Sequence, residues 1–329
     1  MARPLEYNAT LIRRQDLTDL LTIFTIRPDE PPAADLGDGR WFIPGQYLTI
    51  GLNREPGIDP EGDDRPPSVR RAMSIASPAD EREAIELYIR RVTQPTSKLP
   101  LTPMLWRRRE GARMYLRPVA TGHFTLHHTV GEDDRRLKVM VAAGTGLAPF
   151  VCIARSRLRA DPKADLSDLV ILHGASYPSD LGYREELEAM ARTNGLHYVP
   201  TISRPHEAPD WRGAVGRAEA HFTQEAIEAF EARVGLPPGG LTPKNAAVLI
   251  CGLNGTIANC LVRLAARGFV PHHPRLRRVL GILEETPPSV FYEQYDIEPP
   301  LDVQDEDLMG RLRADLARAG VALGEPVPR

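Results

Sequence analysis

A chain of 329 residues is longer than one compact core usually supports, so two domains of ordinary size are expected, and 42% hydrophobic residues can fill both cores. The formal net charge of −3 gives no reason to expect nucleic acid or an anionic membrane surface as a partner. Cys152, Cys251 and Cys260 are odd in number and form no C-x-x-C, which favours a reducing compartment and argues against a zinc or iron–sulfur centre, so no metal site is expected. The opening MARPLEYNATLIRRQDL lacks the apolar core of a signal peptide, and no later apolar run reaches bilayer length. A cytoplasmic protein without membrane contact is the expectation.

Residues 11–126 read as short strands. Leu21-Thr22-Ile23-Phe24-Thr25-Ile26, Gln46-Tyr47-Leu48-Thr49-Ile50, Met73-Ser74-Ile75 and Ile85-Glu86-Leu87-Tyr88-Ile89 are β-rich and bounded by Pro, Gly or Asp, as in an antiparallel barrel or sandwich. Residues 53–70, with their Pro, Gly and Asp, read as a surface loop between two strands. After Asp133-Asp134 the pattern changes. Val139-Met140-Val141-Ala142-Ala143 is an unbroken apolar strand, followed by a glycine turn and a helix-like run over 149–158. Apolar strands at 169–172, 197–202 and 247–250 then alternate with helices near 184–191 and 224–232. That alternation predicts a parallel sheet covered on both faces. In the tail, Leu308, Leu312 and Leu316 stand at helical spacing before Gly320, which predicts an amphipathic helix over 305–319.

Three segments could carry chemistry. In Gly144-Thr145-Gly146-Leu147-Ala148-Pro149 the glycines would let backbone approach a pyrophosphate at a helix start, where proline at the first helical position is harmless. A tight turn in any α/β protein has the same appearance. Arg71-Ala72-Met73-Ser74-Ile75-Ala76-Ser77 reads blandly as an amphipathic edge strand with an arginine at its mouth. Read functionally, Arg71 pairs with a phosphate and the Ser74 hydroxyl faces a flavin edge. Val248-Leu249-Ile250-Cys251-Gly252 is a buried strand whose cysteine, taken alone, is a small core residue. It gains interest because ligands of such sheets bind at the carboxyl ends of the strands.

The order of these segments resembles the ferredoxin–NADP(H) reductase family, and in detail its bacterial branch, over residues 4–296. Pro44-Gly45-Gln46-Tyr47 is similar to a barrel strand of the family, and Arg71 to Ser74 to its R-x-[YF]-[ST] flavin motif. Leu87-Tyr88-Ile89-Arg90-Arg91-Val92 resembles the strand along the FAD, and Leu101-Thr102-Pro103 the turn at its pyrophosphate. His173-Gly174-Ala175, Asp180-Leu181-Gly182-Tyr183, Ser203-Arg204 and Cys251-Gly252 follow in family order. The chain departs from the family at Met73, where an aromatic is usual, and at Ser176, where close relatives often carry an arginine for the 2′-phosphate. Leu253-Asn254-Gly255 replaces the usual Pro or Ser-Pro. The sequence also continues past Phe291-Tyr292-Glu293-Gln294-Tyr295-Asp296, which resembles the family's usual aromatic ending.

The resemblance implies an N-terminal antiparallel β-barrel FAD domain over 1–134, a Rossmann-like NADP(H) domain over 135–296 and an extension over 297–329. It implies FAD contacts from Arg71, Ala72, Met73, Ser74, Tyr88, Ile89, Arg90, Leu101, Thr102 and Thr145, with Tyr295 covering the ring and Tyr292 as the alternative. NADP contacts fall to Gly144, Gly146, Ala175, Ser176, Ser203, Arg204, Arg217, Cys251 and Gly252. Hydride would pass between nicotinamide C4 and flavin N5, with Ser74, Cys251 and Glu293 as the reacting-site groups, and single electrons would go to or from ferredoxin or flavodoxin. The arginines Arg70, Arg71, Arg90, Arg91 and Arg107 to Arg109 could offer a docking rim, although 107–109 also reads as a solvated loop. A monomer is expected. The alternatives are the reductase component of an oxygenase system and a flavin-binding electron-transfer subunit without nicotinamide activity. The intact glycine loop and Arg204 speak against the second.

Overall fold

The computed structural model describes residues 3–55, 57–59, 67–94, 99–295 and 298–326. The chain divides into two compact units, residues 1–128 with 148–162, and residues 129–147 with 163–329. In the first unit, strands β1 (Ala9–Thr18), β2 (Leu21–Pro28), β3 (Tyr47–Asn53), β4 (Ser68–Ser74) and β5 (Ile85–Arg90) precede helix α1 (Leu101–Trp106) and strand β6 (Arg113–Leu116). A single helical turn, α2 (Leu126–Thr129), follows. The six strands form an antiparallel sheet in the order β4-β3-β6-β1-β2-β5. Its edge strands meet where Ile75 bridges Leu87 and the Ala76 N–H donates to the Glu86 carbonyl at 2.9 Å. This closes the sheet around Leu11, Phe24, Ile26, Leu48, Ile50 and Leu87, all buried. A barrel formed this way hides most of the unpaired edge that an open sheet would expose.

In the second unit, β7 (Leu137–Ala143) leads into a 3₁₀ turn over Gly144–Leu147. Helix α3 (Ala148–Ala160) comes next in the chain but packs with the barrel. Cys152 joins the barrel core, Arg155 donates to Glu86 Oε2 at 2.6 Å, and Ser156 Oγ accepts from the Ala79 N–H at 2.9 Å. The chain then forms β8 (Leu169–Ala175), α4 (Arg184–Asn194), β9 (His197–Ile202), β10 (Ala214–Val215), α5 (Ile227–Arg233) and β11 (Ala246–Gly252). Helices α6 (Asn254–Ala265) and α7 (Pro274–Val279), strand β12 (Val290–Gln294) and helix α8 (Glu306–Arg318) complete it. All six strands are parallel, in the order β10-β9-β8-β7-β11-β12. Strands β7, β8 and β11 are apolar without alternation because helices cover both faces.

The expected barrel followed by a parallel α/β sheet is therefore observed, and most strand positions agree within two or three residues. Three readings need correction. The loop taken as 53–70 ends earlier, since β4 begins at Ser68, and residues 60–66 lie outside the described set. Leu101-Thr102-Pro103 is the first turn of α1 rather than an open turn. The helix expected from Gln224 starts at Ile227. The tail helix is present as α8: the Asp305 carboxylate caps it by accepting from the Leu308 N–H at 2.9 Å, and Gly320 takes a φ of 84° after its end. Among the described residues no helix is long and apolar enough to cross a membrane, and no group of three or more His, Cys, Asp or Glu could hold a metal ion.

Two stability predictions follow from burial. Leu316 is fully buried in the same core cluster as Ile257, Cys260 and Leu264 of α6. Leu316→Ala should lower the unfolding free energy by about 2–5 kcal/mol in urea titration, a loss that an appendage with no share in the core would not produce. Burial also holds the imidazole of His173 down to about 3 and that of His272 to about 4, against an ordinary 6.5. Both stay neutral in the folded chain while the unfolded chain takes up protons below about 6.5, so their contribution is whole above that pH and is lost as pH falls toward 4 and 3. Thermal midpoints measured from pH 7 to 4 should fall, and less steeply in His272→Phe.

Candidate functional site

Strand order sets the location. From β7 the chain builds outward through β8, β9 and β10 on one side, then returns to place β11 and β12 on the other. The reversal lies between β7 and β11, and in open parallel sheets the crevice at such a switch, beyond the carboxyl ends, is where ligands bind. Here the two strand ends are pinched together by missing side chains. A Cβ on Gly146 would stand 2.0 Å from the Cys251 carbonyl oxygen, and a Cβ on Gly252 would stand 2.7 Å from the Ala143 Cβ. Gly252 also adopts a φ of +141°. Gly144, at a φ of +56°, faces open space, with nothing within 4 Å of an added Cβ. The loop is thus tight toward the sheet and open on its outer side.

Cys251 closes β11 at this point, opposite Glu293 in the register with β12. Its sulfur lies 3.3 Å from the Tyr295 hydroxyl oxygen and 3.9 Å from Glu293 Oε2, and the Tyr295 hydroxyl donates to the Thr145 carbonyl at 3.4 Å. Two of the three groups expected at the reacting site, Cys251 and Glu293, are therefore neighbours within one unit, together with Tyr295 and Thr145, while Ser74 belongs to the barrel unit. Burial, and after it the Glu293 carboxylate, push the Cys251 thiol well above its ordinary value. It is a neutral, compact wall and not a thiolate. Tyr292 belongs elsewhere: it pairs with Ile250 in register and packs edge-on against His272 at 4.9 Å, in a stack with His273. Of the two tyrosines named from the sequence, Tyr295 is the one at the switch.

The remaining nucleotide candidates lie at successive strand ends on the β8 side. Ala175 ends β8, Ser176 follows it, and the Ser203 N–H donates to the Ala175 carbonyl at 3.0 Å. Arg204 follows β9, stacks its guanidinium over the Tyr177 ring at 5.3 Å and donates to the Tyr177 hydroxyl at 2.5 Å. Arg217 follows β10 and is exposed, and its guanidinium makes no hydrogen bond or ion pair among the described residues. Parallel pairing puts all these ends on one edge, so glycine loop, arginines and thiol share it although they are scattered from Gly144 to Cys251 in the sequence.

In the barrel unit the flavin candidates cluster at the seam between the edge strands. Past the Ile75–Leu87 bridge, continued pairing would set Ser74 against Tyr88, Met73 against Ile89 and Ala72 against Arg90. In the sheet ladder β4 is paired with β3 and β5 with β2. These six residues therefore form the two lips of the barrel's seam, with Arg71 next along β4. Arg71, Ala72 and Arg90 are exposed, Met73 is half-buried against the barrel core, and Ser74, Tyr88 and Ile89 are buried. The start of α1 is fastened to both lips. Arg71 reaches the Leu99 carbonyl at 3.4 Å, and the Thr102 hydroxyl accepts from the Val92 N–H at 2.9 Å. Leu101 is buried beside it.

The docking-rim reading changes for two arginines. Arg107 is ion-paired with Asp59 and Arg108 with Glu55, so these side chains hold the loop after β3 and are not an open basic surface. Sequence reasoning also missed α6, whose Ile257, Cys260, Leu261 and Leu264 carry a clear helical spacing directly after Cys251-Gly252.

The pinch can be tested by paired substitutions. Gly144→Ala meets only backbone strain, about 1–2 kcal/mol for an L-residue in the left-handed region. Gly146→Ala meets a backbone carbonyl that cannot rotate away, and should cost clearly more and weaken nucleotide binding as well. Urea titration of both variants reads the difference, and equal stabilities would mean that the two strand ends do not approach as described.

Comparison with known proteins agrees with this geometry. Residues 140–261 match the oxidoreductase NAD-binding domain family. The chain is 32% identical to ferredoxin–NADP reductase B of Sorangium cellulosum over 253 residues, 75% of this chain and 90% of that protein. It is 25% identical to the sulfhydrogenase 1 subunit gamma of Pyrococcus furiosus over 81% of this chain and 77% of that one. The electron transfer component XylA of the Pseudomonas putida xylene/toluene monooxygenase is 25% identical over 67% of this chain, which spans 55% of its length. Among solved structures, a ferredoxin–NADP⁺ reductase from Neisseria gonorrhoeae with bound FAD and NADP shares the fold, with a TM-score of 0.62 at 20% identity over 87% of this chain and 97% of that one. With a relative above 30% identity spanning three quarters of the sequence, and with its motifs gathered at one switch point and one barrel seam, the chain belongs to the ferredoxin–NADP(H) reductase family of oxidoreductases.

Proposed function

We propose that this protein is an FAD-dependent reductase that moves electrons between NADP(H) and a small one-electron carrier, ferredoxin or flavodoxin. The observation that carries the reading is the switch point, where a pinched glycine loop, a buried neutral thiol and a carboxylate meet at the carboxyl edge of the sheet. A glycine loop with open space outside it suits a pyrophosphate, whose charge the backbone N–H groups attract. A thiol held protonated by burial suits the reacting end, because it sets the approach of a nicotinamide without competing as a nucleophile.

The barrel seam fits an FAD. The seam brings Met73, Ser74 and Tyr88 from the two edge strands together, and the exposed Arg71 and Arg90 offer guanidinium groups for the FAD phosphates. When bound, FAD supplies the conversion between a two-electron hydride and single electrons. The chain's own residues position and shield. With FAD bound, Ser74 would hydrogen-bond to the flavin edge and hold a proton there, Met73 would present a polarizable thioether in place of an aromatic ring, and Cys251 would fill the volume beside a bound nicotinamide. Glu293, within reach of the Cys251 sulfur, balances charge on the proton path. The exposed Arg70, Arg71, Arg90 and Arg91 suit an acidic carrier, whose association should slow as salt screens the attraction.

A second reading, the reductase component of an oxygenase, is favoured by relatives such as XylA and the phenol 2-monooxygenase reductase component DmpP of Pseudomonas sp.. The chain is 32% identical to the Sorangium reductase but only 25% and 24% identical to those two, which favours the first reading. Reduction of purified ferredoxin, flavodoxin and oxygenase components by NADPH separates them.

The purified protein should be yellow and release FAD, not FMN, on denaturation, as chromatography of the freed flavin would show. In stopped-flow mixing with NADPH, Ser74→Ala and Cys251→Ala should keep their flavin yet reduce it more slowly, by up to about 100-fold, because ångström-scale misplacement carries penalties of that order. If the two residues only pack the core, the variants will instead melt earlier and reduce at the parent rate.

A further inference from the structure

Arg204 does not stand alone at the end of β9. Its guanidinium donates to the Tyr177 hydroxyl at 2.5 Å, and that hydroxyl donates onward to Glu207 Oε2 at 3.0 Å. Glu207 Oε1 lies 3.9 Å from Arg204 Nη1 and 3.4 Å from His206 Nε2. The side chains of Arg204 and Glu207 are both about half exposed. A short 3₁₀ turn over Pro205–Glu207 brings the carboxylate back toward the arginine: the Glu207 N–H donates to the Arg204 carbonyl at 3.2 Å. Asp180 also acts on Arg204, more weakly than Glu207. On the neighbouring strand end, Ser176 contributes no charge.

A carboxylate in this place treats two dinucleotides differently. It accepts a hydrogen bond from a ribose 2′-hydroxyl, the role an acidic residue plays in many NAD sites. It repels a 2′-phosphate drawn to the same guanidinium. We infer that Glu207, acting through the Arg204–Tyr177–Glu207 chain, is a specificity-determining residue that holds down the preference for NADPH and lets the enzyme use NADH as well. The inference rests on the nucleotide site proposed above and deepens it: Arg204 attracts the 2′-phosphate, and Glu207 offsets that attraction.

The test uses the full-length flavoprotein and two variants, Glu207→Gln and Arg204→Ala. Glu207→Gln removes the charge and keeps an acceptor oxygen for a 2′-hydroxyl. The ratio of kcat/KM for NADPH over NADH should rise about 3- to 10-fold, as expected for a single charge acting across a solvent-exposed distance of several ångströms. Most of the change should appear in KM for NADPH, and it should shrink as salt is raised. Equilibrium binding of 2′,5′-ADP against 5′-AMP gives the same comparison without turnover, and should move in parallel. Arg204→Ala should shift the ratio the opposite way. An unmoved ratio in Glu207→Gln beside a lowered one in Arg204→Ala overturns the inference and leaves the nucleotide site standing. Ratios unmoved in both variants overturn the site and the inference together, and an equal gain for both dinucleotides in Glu207→Gln also overturns the inference. Because Glu207 is exposed, its replacement should leave the melting temperature unchanged, which separates a charge effect from a folding effect.

Discussion

The structure depends most on a contact that requires the absence of atoms. At the sheet's reversal, Gly146 lies against the Cys251 carbonyl and Gly252 against Ala143, too close for a side chain at either glycine. Parallel strands alone would bring β7 and β11 to the usual spacing. What the glycines add is contact between the loops beyond the strands, so that the turn after β7 lies directly on the end of β11. The position of Thr145, and with it the Thr145 carbonyl that accepts from Tyr295, is a consequence. So is the burial of Cys251, which follows from a strand end covered by its neighbour's loop. A local steric demand thus sets the place of the candidate site groups.

That burial decides the chemistry open to the thiol. A cysteine at a strand end in a cleft could serve as a nucleophile or a redox group if it were exposed and electropositive. Here the nearest charge is a carboxylate, and both burial and that charge hold the proton on sulfur. The neutral thiol, within 3.9 Å of Glu293 Oε2, is placed to donate to that carboxylate. Tyr295 completes the cluster through its hydroxyl, while about half of the residue stays exposed. A neutral, shaped surface beside a charge is suited to guiding a hydride and poorly suited to covalent catalysis.

Much of this was legible in the sequence, and the parts that were not share a cause. The strands of the second unit stood out because unbroken apolar runs at 139–143, 169–172 and 247–250 have no other stable home. The flavin candidates were legible only through family resemblance. That Ser74, Met73 and Ala72 face Tyr88, Ile89 and Arg90 across the seam is a property of barrel closure, set by one bridge at Ile75–Leu87 that no local pattern announces. The same limit applies to Arg107 and Arg108, which look like a solvated basic run until the fold brings Glu55 and Asp59 to them from about 50 residues away. The relation of Glu207 to Arg204 was within reach at a spacing of three residues, but Tyr177, the hydroxyl between them, comes from another strand. Local periodicity survives in the sequence, and partnerships between strands do not.

The tail shows the opposite case, a segment whose local structure was plain and whose place was not. An amphipathic helix must bury its stripe, and the sequence does not say against what. In the structure Met309, Leu312 and Leu316 enter the core shared by α6 and β11, together with Leu301 and Val303 from the chain leading to α8. At its start the Glu298 carbonyl accepts from Asn254 Nδ2 at 2.8 Å and from Gln294 Nε2 at 3.2 Å. Those two residues are the first of α6 and the last of β12, the elements that flank Cys251 and Tyr295 in the chain. The extension therefore braces the loop after β11 from one side while the glycine pinch fixes it from the other. This gives Leu253-Asn254-Gly255 a physical role where family members carry a proline. A proline there stiffens the backbone by its ring, and this chain instead uses the Asn254 side chain to tie the same loop to its own tail.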